Sequence, residues 1–260
     1  MRFQVLLSCM NANDFSIIGK SNLMQVPCLV INQCATEKEY FTETELHTMC
    51  NSPSRGLSIS RNLAIQYSNA EYCLFSDDDE QFCDGLEEKI ISAYESLSDA
   101  DIIIFKMSNY PTKLGNKIKK LKKYELLRVS SWQISFKMTS VKNKYLFDPK
   151  LGAGTGNGAS EENKFLFDCY KDGLKIYYVP IEIASVAQEQ STWRSARDEK
   201  YFFNRGKTTR YILGQSMATI YALYFLITKH KLYKKDISFL RAMKYLFKGI
   251  ATKSIDEKLT

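Results

Sequence analysis

The feature that most narrows the fold is an alternation of short apolar runs with amphipathic helical segments across the first 105 residues. Residues 3–8 (FQVLLS) and 28–32 (CLVIN) read as buried strands, and residues 47–50 as a weaker third. Residues 58–69 read as a helix with Ile59, Leu63, Ala64 and Tyr67 on one face. Residues 71–76 (EYCLFS) form a further strand. Asp84 with Glu87 three positions on has the spacing of a capping box ahead of the helix EEKIISAYESL, and residues 102–105 (IIIF) are another buried strand. This order predicts an α/β domain with a largely parallel sheet. Beyond it, residues 113–128 are lysine-rich and expected to be a solvated excursion. Residues 132–138 suggest a strand, a helix is expected from about Ser160 to Tyr170, and residues 175–179 with Pro180 are the last strand of the body.

Charge divides the chain. The formal net charge is +7, yet residues 200–260 carry thirteen Lys/Arg against three Asp/Glu, while residues 1–199 carry 23 against 26. The expected organisation is therefore a slightly acidic body over 1–199 and a basic helical extension over 200–260, with an anionic partner for the extension. The uncharged run 211–228 is near the ~20 residues of a membrane span, but Gly214, Gln215, Ser216 and Thr219 weaken it, and a packed or interfacial helix is expected. In residues 237–250, Leu240, Met243, Phe247 and Ile250 share one helical face, with Arg241, Lys244 and Lys248 beside it. That pattern suits either an anionic membrane surface or a helix that covers the body. The basic residues lack the aromatic platforms of nucleic-acid readers, so nucleic acid is not the expected partner.

Seven cysteines, none with CxxC spacing and none preceded by a secretory leader, point to reduced thiols in a cytoplasmic protein, peripheral at most on the inner face of a membrane. With only His47 and His230, far apart, a zinc site is not expected, and any metal would be a hard one held by oxygen.

The sharpest chemical signal is Asp77-Asp78-Asp79, directly after the strand that ends Phe75-Ser76. Ligands of open α/β sheets bind at the carboxyl ends of strands. Three adjacent carboxylates repel and favour a cation, and Asp77 and Asp79 are spaced to share one Mg²⁺ or Mn²⁺ on a phosphate. A solvated acidic turn is the alternative. A second signal is the glycine-rich loop 152–158, which with Ala159 contains a G-x-G-x-x-A match. By itself it fits either a dinucleotide-binding turn, and hence an NAD(P) oxidoreductase, or a loop with no such role.

The order GLSISRNLA … EYCLFSDDDE resembles the bacterial family 2 glycosyltransferases, in which a Gly-x-Ser-x-(Ala/Ser)-Arg-Asn helix precedes a strand ending in the DXD motif. VLLSCMN is similar to that family's first strand and nucleotide loop. Tyr145 to Asp148 resemble its FD segment, Glu161-Glu162 its Glu-Asp pair, and GLKIYYVP its late strand. The resemblance covers about residues 3–195. It implies a GT-A fold, Rossmann-like with a mixed sheet, and transfer of a sugar from a nucleoside-diphosphate donor, a UDP-sugar for preference, with inversion. The acceptor implied is a glycan or a lipid-linked one, in the assembly of capsule, O-antigen or exopolysaccharide.

Residue by residue, the resemblance implies that Asp77 and Asp79 hold Mn²⁺ or Mg²⁺ on the diphosphate, while Asp78 contacts the ribose or donor sugar. It implies that Ser8, Asn11, Arg55, Arg61 and Asn62 lie near the nucleotide. Asn32 or Gln33 stands where many members have a base-reading Asp. Glu162 takes the place of the catalytic base, with Glu161 its rival. Gln188 stands where a metal-linked His is common, and Trp193 and Gly156 border the acceptor.

Overall fold

The computed structural model describes residues 1–110, 113–153, 155, 157, 160–186 and 197–259. In chain order the elements are β1 (Phe3–Met10), α1 (Ser16–Lys20), β2 (Cys28–Gln33), β3 (Tyr40–Glu43), β4 (His47–Ser52), α2 (Leu57–Tyr67), β5 (Tyr72–Ser76), β6 (Glu80–Phe82), α3 (Leu86–Ser96) and β7 (Ile102–Met107). They continue with β8 (Lys119–Lys120), β9 (Ile134–Lys137), α4 (Met138–Val141), α5 (Glu161–Lys171) and β10 (Ile176–Val186). The helices α6 (Glu199–Leu213), α7 (Gln215–Thr228), α8 (His230–Tyr233) and α9 (Phe239–Ala251) follow. The chain forms two compact units, one of Met1–Asp148 with Glu162–Ala187, the other of Pro149–Glu161 with Gln188–Thr260.

The first unit holds one sheet in the order β3-β4-β2-β1-β5-β9-β7-β10-β6, with β8 also on β10. β4, β2, β1 and β5 are mutually parallel, as are β7 and β10, and β9 runs antiparallel between β5 and β7. The expected parallel α/β sheet is thus present, with one reversed strand inside it. Ile102 to Phe105 are fully buried, as an interior strand covered on both faces requires. The expected strands and helices stand within a few residues of their places. α1, β3, β6, β8 and α4 were not expected. They are two to five residues long, too short to show a period.

Two local expectations are corrected. Asp84 does not cap α3: Gly85 takes the N-cap position, and the Asp84 carboxylate instead accepts a hydrogen bond from Asn22 Nδ2 at 3.0 Å. Nor is 113–128 wholly solvated. Leu114, Leu121 and Leu126 are buried, and β8 is bonded to β10. Lysines on a short edge segment hide the three leucines that anchor it.

In the second unit, α6 and α9 cross at Gly206 and Gly249. A methyl at Gly206 would meet the Leu246 carbonyl oxygen at 2.1 Å, and one at Gly249 the Phe203 carbonyl oxygen at 2.1 Å. Only glycine allows this approach. Around it, Phe202, Ala218, Ala222, Phe225, Leu226, Tyr233, Leu246 and Ile250 form a separate core. The uncharged run 211–228 is not one helix, because Gly214 (φ 76°) ends α6 and starts α7. No helix among the described residues is long and apolar enough to cross a membrane.

Candidate functional site

Parallel pairing brings the carboxyl ends of β1, β2, β4 and β5 to one edge, where Asn32 sits beside Asn51 and Gln33 beside Ser52. The chain leaves β1 there through Asn11, held at φ 53°. Asn32 is fully buried. Its Oδ1 accepts the Ala12 N–H at 2.9 Å, and its Nδ2 donates to the Ala12 carbonyl and to Asn51 Oδ1, both at 2.7 Å. With its donors and acceptor used inside the protein, Asn32 staples the loop after β1 and has no amide group left for a base. Gln33 is also buried, and its Oε1 accepts the Gly56 N–H at 2.7 Å. Its carbonyl receives Arg55 Nη1 at 2.9 Å and the Asn11 N–H at 3.1 Å. These bonds give both residues a part in positioning the loops around them, and the base-reading role expected of the pair stays an expectation. Ser8 is likewise buried, taking a hydrogen bond from Ser60 Oγ at 2.8 Å.

Arg61 and Asn62 leave α2 in different directions. The Arg61 guanidinium is 1% exposed, donates to Asp77 Oδ1 and to Ser131 Oγ, both at 2.7 Å, and lies 5.4 Å from the centre of the Phe147 ring. The Asn62 amide clamps the backbone of Phe147, donating to its carbonyl at 2.8 Å and accepting its N–H at 2.7 Å. Asn62 thus braces the loop ahead of Asp148. Phe147 stacks on Phe165 of α5 at 4.5 Å, and Phe75, two residues before Asp77, meets Phe147 edge-on at 5.1 Å and Phe165 at 6.1 Å. One aromatic floor therefore underlies the end of β5, the Phe147 loop and the first turns of α5. Asn163 adds to it by donating to the Leu126 carbonyl at 3.0 Å.

The three aspartates are not equivalent. Asp77 is partly buried against Arg61, whereas Asp78 and Asp79 are exposed and have no ion-pair partner among the described residues. Both are held above the ordinary carboxylate range, first because surrounding protein displaces water and then by the charge of Asp77. Glu80, missed from sequence, completes the group. It is 2% exposed, and its Oε2 accepts the Asp77 N–H at 2.6 Å and the Ser76 hydroxyl at 2.9 Å, while its Oε1 has no hydrogen-bond partner. Burial, then Asp77 and Asp79, push its carboxyl well above the usual range. The fourth acid of SDDDE was a visible signal, but only the turn into β6 shows that it is folded inward.

No cluster of three His, Cys, Asp or Glu stands ready for a metal among the described residues. The residues present still fit a hard divalent cation shared with a diphosphate, which needs only one or two carboxylates from the protein. Asp79 is exposed and crowded by like charge, and Asp77 is already neutralised in part by Arg61, so Asp79 is the better placed donor.

Glu162 is partly buried in the first turn of α5. Glu161 is 4% exposed and its carboxylate accepts the Ser160 N–H at 3.1 Å, where Ser160 has a φ of 112°, unusual for a residue with a side chain. Gln188, Trp193, Gly156 and Gly154 lie outside the described residues, so their expected roles stay expectations. Among the described residues no strand leads into the segment that opens at Gly152, whereas a dinucleotide turn follows directly on a strand.

Residues 37–148 match the model of the family described as glycosyl transferase family 2. Over these residues, a little under half of the chain, the sequence is similar to glycosyl transferase family 2. The match takes in Arg61, Asn62 and Asp77–Asp79, and it bears out the resemblance read from the motifs and the glycosyltransferase class that goes with it. No curated protein matches the chain. Among solved structures, S. aureus TarS is similar at 15% identity and a TM-score of 0.58, covering 86% of this chain and 44% of that one. TarS 1-349 in complex with UDP-GlcNAc is similar at 13% identity and a TM-score of 0.56, covering 96% and 72%. The mannosyltransferase PcManGT from Pyrobaculum calidifontis, in complex with GDP-Man and Mn²⁺, is similar at 11% identity and a TM-score of 0.51, covering 99% and 76%. At these identities the likeness is one of fold, and the fold is the GT-A kind. The chain spans under half the length of the full TarS chain.

Proposed function

We propose that this chain transfers a sugar from a nucleoside-diphosphate donor to an acceptor hydroxyl, with inversion and with help from Mn²⁺ or Mg²⁺. The observation that carries the reading is the sorting of the aspartates: Arg61 holds Asp77 in place while Asp78 and Asp79 stay exposed at the carboxyl edge of the sheet. Asp79, with Asp77, would hold the cation, and when bound the cation would supply positive charge to the diphosphate leaving group. Asn11, Arg55 and Asp78 are the groups left to touch the nucleotide and donor sugar, while Ser8, Asn32, Gln33, Arg61 and Asn62 keep their loops in place.

Glu162 would take the proton of the acceptor hydroxyl as its oxygen attacks the anomeric carbon. The bond from that carbon to the diphosphate then breaks, and the nucleoside diphosphate leaves. Glu162 is favoured over Glu161, whose carboxylate turns back onto the Ser160 N–H. A UDP-sugar is our preferred donor, since a fold neighbour is in complex with UDP-GlcNAc, and the GDP-Man complex of another keeps GDP-sugars in the test. The acceptor we propose is a glycan or lipid-linked glycan of a bacterial surface polysaccharide.

The test is thermal melting of the full chain with UDP, GDP and their sugars, with and without Mn²⁺. The expected result is stabilisation by one nucleotide, dependent on the cation and lost in Asp79→Ala. Equal melting curves under all conditions would overturn the reading, as would stabilisation by NAD(P) alone.

A further inference from the structure

We propose that the outer face of α7 is a docking surface for the headgroup region of an anionic lipid bilayer. The sequence pattern alone pointed to residues 237–250, but α9 spends much of that face on its own unit. Ile250 is buried there, and Met243 and Phe247 are packed against the helical core. α7 behaves differently. One side is buried through Ala218, Ala222, Phe225 and Leu226, and the opposite side carries Met217, Ile220, Leu223, Tyr224 and Ile227, all exposed, with Ile220 at 60% and Ile227 at 69%. At 100° per residue these five fall within a third of the helix circumference. No charged residue interrupts the helix.

A helix with large apolar residues on two opposite sides is the mark of one with an apolar neighbour on each side, and an apolar stripe left to water is unusual in a soluble monomer. The charge at its end says which neighbour. Directly after α7 stand Lys229, Lys231, Lys234 and Lys235 against Asp236 alone, with exposed Leu232 among them. Lysines flanking an apolar stripe complement anionic headgroups. They are depleted from the cores of protein interfaces, and one helical stripe falls short of the roughly 20–30 residues per side of a stable one. At 14 residues, α7 reaches only about 21 Å, short of the ~30 Å hydrocarbon layer, so it lies in the interface and does not span.

The inference stands on the helical unit and does not depend on the transfer reading. It is tested by flotation of the full chain with vesicles of phosphatidylcholine, alone or with a third of phosphatidylglycerol. The chain is expected to float with the anionic vesicles and hardly with the neutral ones. Ile220→Asp with Ile227→Asp is expected to abolish flotation. Lys231→Gln, Lys234→Gln and Lys235→Gln together are expected to weaken it about a hundredfold and to flatten its salt dependence. All these side chains are exposed, and melting curves matching the parent chain would show that the fold is kept. Three results would overturn the proposal: no flotation of the parent chain, undiminished flotation of the isoleucine variant, or a dimer in the ultracentrifuge that the isoleucine variant dissolves without any effect of lipid.

Discussion

The edge of the sheet and the outer face of α7 break the usual arrangement of protein surfaces in opposite ways. At the sheet edge, polar and charged groups are buried: Asn32, Gln33, Arg61 and Glu80 are all sealed from water, and bonded contacts hold each in place. On α7, large apolar groups are exposed with no such contacts to account for them. A buried polar group is tolerated because a partner replaces the water it lost. An exposed apolar stripe has no compensation inside the chain, so its explanation has to come from outside. The first region teaches where buried polar groups fasten the loops of the fold, and the second where the proposed lipid surface would add what the chain does not supply.

Four substitutions test this contrast, in order of falling effect. Glu162→Gln keeps the shape of the side chain and removes only its basicity, so transfer should fall by about 10²–10⁴-fold while the melting temperature holds. A steady-state assay with the donor found by thermal melting checks it, and full activity would remove Glu162 from the chemistry. Arg61→Ala leaves Asp77 and Ser131 facing a buried void, and should cost about 3–5 kcal/mol in urea denaturation, the range for breaking a buried ion pair from one side. A loss under 1 kcal/mol would mean that the sheet edge is not held together by Arg61 as described.

Gly206→Ala forces a methyl against the Leu246 carbonyl oxygen and should cost about 1–3 kcal/mol by prising α6 from α9, measurable as a lower melting temperature. A neutral outcome would show that the helical unit is looser than its close crossing implies. The smallest effect is expected at Glu125, a buried carboxylate away from the sheet edge. Burial works against its ionisation, but the Lys119 ammonium at 2.5 Å and the Lys122 N–H hold its pKa below the ordinary value. A depressed carboxylate contributes stability above its unfolded pKa and loses it as pH falls through the folded one. Glu125→Gln should therefore be less stable at neutral pH by about 1 kcal/mol or less, Lys119 being partly solvated, and the gap should close as pH falls below about 4. Urea curves at several pH values check the sign, and a gap that widens in acid would contradict it.

Much of the strand-end site was legible in advance. The run Arg61-Asn62 followed by a strand and Asp77–Asp79 marks family 2 because the residues are close in sequence and their order carries the information. Legibility stopped where a side chain's partner comes from a distant segment. Ser131 completes the Arg61 site from 70 residues away, and Asn62 reaches Phe147 across 85. Asn32 and Gln33 stood at a plausible position for reading a base. Their burial and bonding inside the protein follow from the parallel pairing of β2 with β1 and β4, which composition does not reveal. The occupancy of the helix faces in the second unit was illegible for a related reason. Periodicity shows that α9 has an apolar face, but only packing shows that much of this face is already occupied.

By itself, the sequence determined the α/β alternation, the carboxylate cluster at a strand end and the division into an acidic body and a basic end. These depend on local periodicity and on charge, which are carried by neighbouring residues. Tertiary structure alone decided which aspartate is ion-paired and which, among the described residues, are not, which polar residues position loops, and which helix leaves its apolar stripe in water. Those outcomes turn on whether a partner from elsewhere in the chain arrives within hydrogen-bonding or packing distance, and that distance is set by the fold.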